Sequence, residues 1–161
     1  MRNKMTSDIL FTKVDSQSDL FEAVANQLLT KKYVTEDYRK ALMDREKDFP
    51  TGLKIDYKDG SDVLYAAIPH TETSYCLVER VVYVRNDKAI TFKHMINPEE
   101  DCHVQDFFFI INNRNDGQTD ILSNLITFFM TKGNLEKLAS FEGNENQINQ
   151  YLIEKGVLNY D

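Results

Sequence analysis

The sequence predicts an α/β fold: a single-domain sandwich over residues 1–161, with a mixed sheet of about four or five strands and helices on its faces. Three observations predict it. Strand-length apolar runs alternate along the chain with stretches whose apolar residues recur at helical spacing. The run Leu64-Tyr65-Ala66-Ala67-Ile68 is apolar on both faces, as a strand covered from both sides must be. The middle of the chain reads strand, turn, strand, which brings antiparallel pairing into the sheet.

Ile9-Leu10-Phe11 reads as the first strand. Ser18 is placed to cap a helix running to about Lys32, with Leu20, Phe21, Val24, Ala25, Leu28 and Leu29 as its apolar stripe and Lys31-Lys32 at the negative end of the dipole. Thr35 reads as a second N-cap, followed by Glu36 and Asp37 in the first turn. Tyr38, Ala41, Leu42 and Arg45 then share one helical face, so Arg45 stands at the rim of the core, an unusual place for a guanidinium unless it meets an anion. An ion pair with a neighbouring carboxylate is the plainer account of it.

Pro50-Thr51-Gly52 ends that helix, and the polar segment Lys54 to Ser61, with Asp59-Gly60, reads as a hairpin tip or an extended loop. The strand from Asp62 to Ile68 is stopped by Pro69, which has no N–H for a ladder, so sheet pairing should end there. Thr71-Glu72-Thr73 reads as a surface turn. Val81 to Val84 is strand-like, Asn86-Asp87 reads as a turn, and Ala89 to Lys93 alternates as a half-buried strand. Asn97 to Asp101 is an acidic loop, and Gln105 to Ile111 reads as a central strand. After a polar stretch from Asn112 to Gln118, a helix to about Lys132 should turn Leu122, Leu125, Ile126 and Phe129 inward. A short helix from Asn134 to Ser140 should follow, and then a last helix, capped by Asn144 with Gln147 at capping-box spacing, that ends before Gly156.

Composition removes several classes of function. A net charge of −7 argues against a nucleic-acid partner, because phosphate binding needs a basic face. No run reaches the ~18 apolar residues of a membrane span, and Met1 to Asp19 lacks the apolar core of a signal peptide, so a cytoplasmic protein without direct membrane insertion is expected. Cys76 and Cys102 form no disulfide framework. Cys102-His103 has no further close ligand, so no metal site is expected, and His94 reads as a surface residue. Phe107-Phe108-Phe109 is core, not a platform for bases.

One place concentrates chemistry. His70 follows Pro69 at the end of a covered strand, with its ring free to reach outward. Imidazole is the side chain whose ordinary pKa lies near neutrality, and its neutral form is a base and a nucleophile. Taken alone, such a histidine is more often a structural hydrogen-bonding residue. Ala67-Ile68-Pro69-His70, preceded by Arg45-Glu46 and Pro50-Thr51-Gly52-Leu53, resembles the active-site signature of enzyme IIA of the sugar phosphotransferase system, mannitol/fructose type. Phe92-Lys93-His94-Met95 and the acidic turn after it look most like galactitol-type members. The resemblance runs from about Leu10 to about Leu152.

It implies an α/β sandwich and a phosphoryl carrier that needs no cofactor. His70 would be the phosphorylated residue, through Nε2, taking the group from the phosphocarrier protein HPr and passing it to enzyme IIB, and so to the membrane enzyme IIC. Arg45 matches the family's arginine at the phosphoryl oxygens. Thr51 matches a threonine able to donate its hydroxyl, although a loop hydrogen bond is an equal alternative. Mannitol-type members carry a second histidine where Gln118 stands here; an amide can donate a hydrogen bond but cannot hold a proton charge. A stand-alone regulatory protein of the same fold, of the nitrogen type, is the alternative role.

Overall fold

The computed structural model describes residues 8–114 and 118–158. They form a five-stranded mixed sheet with helices on both faces. The strands are β1 (Ile9–Thr12), β2 (Gly52–Ile55), β3 (Leu64–Ala67), β4 (Arg80–Lys93) and β5 (Asp101–Ile111), in the order β1-β4-β5-β3-β2. β1 runs parallel to β4 and β3 parallel to β5, while β4/β5 and β2/β3 are antiparallel. The helices are α1 (Gln17–Thr30), α2 (Tyr38–Asp48), α3 (Gln118–Met130), α4 (Asn134–Ser140) and α5 (Glu145–Glu154), with a short 3-10 turn at Thr73–Tyr75.

β5 is central because it has no polar face to offer water over its second half: residues 107 to 111 are all buried. Phe107, Phe109 and Ile111 pack with Val82 and Val84 against Leu20, Phe21, Val24, Leu28 and Leu42 of α1 and α2. Phe108 and Ile110 pack with Val81 and Tyr83 against Leu125, Phe128, Phe129, Leu138, Ile148 and Leu152 of α3, α4 and α5.

Several expectations hold residue for residue. α4 spans Asn134–Ser140, and the Asn144 side chain accepts the Gln147 N–H at 3.1 Å to start α5. The hairpin-tip reading of the polar segment also holds, since β2 and β3 pair around it. Others shift. α1 is capped by Ser16, which accepts the Asp19 N–H, and not by Ser18. Thr35 opens a turn through its carbonyl instead of capping α2, which begins three residues later, at Tyr38. Ile126 is exposed, and Phe128 takes the inward place on α3.

The largest departure is β4. No turn interrupts it at Asn86-Asp87: the strand is continuous, and its register shifts from Arg85↔Asp106 to Ile90↔Val104, so that residues 86–89 stand opposite Gln105 alone. This is a bulge. Asn86 is fully buried there, its amide replacing the lost ladder bonds by accepting from Thr12 Oγ1 (2.8 Å) and Val14 N (2.9 Å) and donating to Val14 O and Lys88 O (2.9 Å each).

Candidate functional site

β3 delivers His70. Its residues run out of the sheet at Ala67, and the backbone then keeps one more contact with β5: Ile110 N donates to the Pro69 carbonyl at 3.1 Å, and His70 bridges Ile110. Pairing therefore goes one bridge beyond the proline, which loses only its own donor and keeps its acceptor. That bridge anchors the His70 backbone at the carboxyl end of the two parallel strands.

The ring is held too. His70 Nδ1 lies 2.8 Å from the Ile68 carbonyl oxygen. A carbonyl can only accept, so Nδ1 carries the proton and the neutral ring has its lone pair on Nε2. Burial pushes the imidazole below its ordinary pKa; the Ile68 hydrogen bond opposes this, the Arg45 charge adds to it, and Glu72 opposes it. The net result is an imidazole that stays neutral, and hence nucleophilic at Nε2, at neutral pH.

α2 brings Arg45 toward the same place from the face of α1 and α2. Its guanidinium lies 4.9 Å from the Phe49 ring centroid, and its Nη1 donates to Glu72 Oε2 at 2.8 Å. Arg45 Nε is buried and makes no hydrogen bond among the described residues. Phe49 itself is 60% exposed and Leu77 50%, two apolar side chains left uncovered on the segments that carry the site.

Thr51 is 2% exposed. Its hydroxyl donates to the Glu46 carboxylate (2.9 and 3.1 Å to the two oxygens) and its N–H donates to Oε2 at 2.8 Å. A hydroxyl has one proton, so the loop hydrogen bond is the role that this geometry displays for Thr51. The Thr51 carbonyl in turn accepts the Ile68 N–H at 3.1 Å, which ties the end of α2 to the strand that carries His70. Gln118 opens α3, but its side chain lies outside the described residues.

Sequence reasoning passed over Glu46. The signal was present: Tyr38, Leu42 and Glu46 stand four residues apart, on one stripe, and all three are buried. Burial pushes the Glu46 carboxyl up to about 7, against the opposing pull of the Thr51 donors and Arg45. Glu72 and the buried Asn112 were missed as well. Asn112 accepts the Arg114 N–H at 3.0 Å while its Nδ2 has no partner among the described residues. No periodicity marks either position, since both follow the ends of strands.

Of the two remaining histidines, His94 bridges through its backbone to Gly52, next to Thr51. His94 Nδ1 accepts the N–H groups of Asn97 (3.0 Å) and Ile96 (3.3 Å), closing the loop after β4, and is half-buried, not a free surface residue. His103 meets the Tyr65 ring edge-on at 6.1 Å. Both cysteines are free and buried. Among the described residues, no group of three or more His, Cys, Asp or Glu side chains could hold a metal ion, and no helix is long and apolar enough to cross a membrane.

The arrangement is that of a strand-end histidine with a fixed tautomer, with the Arg45 charge near enough to act on it. The family model described as "Phosphoenolpyruvate-dependent sugar phosphotransferase system, EIIA 2" matches residues 5–155. The chain belongs to this family. No curated protein matches it significantly. Among solved structures it is similar to a putative PTS IIA (PtxA) from Streptococcus mutans, at 13% identity, covering 91% of this chain and 87% of that one with a TM-score of 0.67. IIA mannitol from Escherichia coli shares 20% identity over 95% of this chain and 99% of that one (TM-score 0.60). The Escherichia coli complex of enzyme IIAMTL with phosphorylated enzyme IIBMTL shares 18% over 94% and 96% (TM-score 0.58). At such identities the likeness is one of fold. This EIIA 2 chain thus shares its architecture with mannitol-type proteins.

Proposed function

We propose that this EIIA 2 protein is a cytoplasmic phosphoryl carrier of the galactitol-like kind: His70 takes a phosphoryl group from phospho-HPr and passes it to an enzyme IIB, which serves a membrane enzyme IIC. The observation that carries this reading is the 2.8 Å contact from His70 Nδ1 to the Ile68 carbonyl, which leaves Nε2 as the one nucleophilic ring nitrogen. In the transfer, the Nε2 lone pair attacks phosphorus, a new N–P bond forms, and the donor's N–P bond breaks with its electron pair returning to the donor ring. No proton has to move, so a metal or a separate base is not needed for the step. The Arg45 guanidinium faces the charge of the phosphoryl oxygens. Thr51 contributes by fixing the loop through Glu46, and Gln118 is assigned the neutral donor on the family resemblance alone. Exposed Phe49 and Leu77 supply apolar surface for a partner that must exclude water during the transfer.

The test is incubation with enzyme I, HPr and phosphoenolpyruvate. One acid-labile phosphoryl group should appear on the chain, and none on the His70→Ala variant. Phosphorylation of that variant would overturn the assignment. Onward transfer to an enzyme IIB encoded beside this chain separates the transport role from a regulatory one, in which the phosphorylated chain would pass its group to no IIB.

A further inference from the structure

Glu72 stands two residues after His70, and its backbone is pinned: its carbonyl accepts from the Thr71 hydroxyl at 2.9 Å and from Tyr75 N at 3.4 Å as it opens the 3-10 turn. Its side chain is 57% exposed, yet its carboxylate reaches back to Arg45 Nη1 at 2.8 Å. The guanidinium that the proposed function assigns to the phosphoryl oxygens is therefore already engaged by an anion while His70 is bare. We infer that Glu72 is a positioning residue that holds Arg45 in the resting protein and yields it to the phosphoryl group, so that loading His70 exchanges one anion on Arg45 for another.

The exchange has an energetic consequence. A carrier must release what it accepts, and an arginine that gained a full new ion pair on phosphorylation would stabilise the phosphohistidine and oppose onward transfer. When the carboxylate must leave first, only the difference between the two pairings appears in the equilibrium. Glu72 is exposed enough to swing into water at small cost, because a surface ion pair is worth little. Arg45 is fixed more firmly: it is 27% exposed, its Nε is buried, and Phe49 lies against it. The carboxylate is thus the movable partner and the guanidinium the stationary one.

This inference rests on the proposed function, and a double-mutant cycle tells the two apart. The equilibrium of phosphoryl transfer between phospho-HPr and the chain is measured for the unmodified protein, Glu72→Gln, Arg45→Gln and the double variant, with circular dichroism confirming each fold. Glu72→Gln should shift the equilibrium toward the phosphorylated chain by about fivefold, and by no more than about twofold in the Arg45→Gln background. Glu72→Asp, which keeps the charge, should stay near the unmodified value. Equal shifts in both backgrounds would mean simple repulsion between Glu72 and the phosphoryl group and would overturn the exchange. So would a folded Glu72→Gln protein with an unchanged equilibrium. If the unmodified chain accepts no phosphoryl group, the proposed function itself falls and the inference falls with it.

Discussion

At the residue scale, two side chains next to each other on α2 have opposite duties. Arg45 looks outward to the site and Glu46 inward to Thr51. Arg45→Ala should slow transfer from phospho-HPr by about 10²–10³-fold, roughly 3–4 kcal/mol of transition-state stabilisation, and Gln118→Ala by on the order of 1 kcal/mol, because a neutral donor is worth about half a charged one. Rapid-quench kinetics on folded variants check the order; a larger loss from Gln118→Ala would reverse it. Glu46 gives a pH prediction. Its folded pKa, raised by burial to about 7, exceeds its ordinary value of 4.5, so between these pH values the folded state binds more protons than the unfolded one. The stability this contributes is present below about pH 4.5 and is lost as pH rises through about 7. Urea unfolding at pH 5, 6, 7 and 8 should show that fall, and Glu46→Gln, which keeps an acceptor for Thr51 and cannot ionise, should flatten it. An equal slope in both proteins would remove Glu46 as its source.

At the element scale, β2 begins at Gly52 for a steric reason. A Cβ there would stand 2.6 Å from the Lys93 carbonyl oxygen and 3.2 Å from Cys102, where β2 crosses the ends of β4 and β5. Backbone oxygen cannot retreat as a flexible side chain can, so Gly52→Ala should destabilise the fold by about 1–3 kcal/mol. Denaturant unfolding measures it, and a stability equal to that of the unmodified protein would show that the crossing is looser than drawn. The glycine of Pro-Thr-Gly therefore has a packing role beside the site, and its substitution should also disturb Thr51, which precedes it. The β4 bulge depends on Asn86 in a comparable way. Asn86→Ala would remove the partner of the part-buried Val14 N–H and Lys88 carbonyl and open a hole at a fully buried side chain, a loss of roughly 1–3 kcal/mol read by denaturant unfolding.

At the scale of the whole molecule, the sheet order places every proposed site residue with a described side chain at one end. β3 and β5 run parallel, so the carboxyl ends of both reach the same edge, and the 3-10 turn and α2 close around it. Chemical-shift mapping with HPr should therefore move the amides of Phe49, Thr71, Leu77 and Asn113, and leave Asp59 and Lys132, paired with each other at the far ends of the β2–β3 hairpin and of α3, unmoved. Shifts centred on Asp59 and Lys132 would place the partner on the wrong end and count against His70 as the phosphoryl acceptor.

Composition, periodicity and turn chemistry, read without coordinates, were enough to mark the α/β class, the apolar stripes of α1, the covered strand before His70, and the Asn144 cap. These are local properties: each depends on residues within a turn or a strand of one another. Arg45 at the rim of the core was legible for the same reason. What only the tertiary structure decided involves partners far apart in the chain. Asn86-Asp87 has the composition of a turn, but pairing with β1 and β5 on either side made a bulge cheaper than a break, because the Asn86 amide could satisfy the loop after β1. The sequence leaves the Thr51 hydroxyl free to face the site or the loop; in the fold it donates to Glu46. Glu72, in a segment that reads as surface, became the partner of Arg45 twenty-seven positions earlier only when β3 and α2 were brought side by side. A sequence states which groups are available to pair; folding chooses the pairs, because the cost of leaving a buried donor or charge unmatched is settled between elements and not within them.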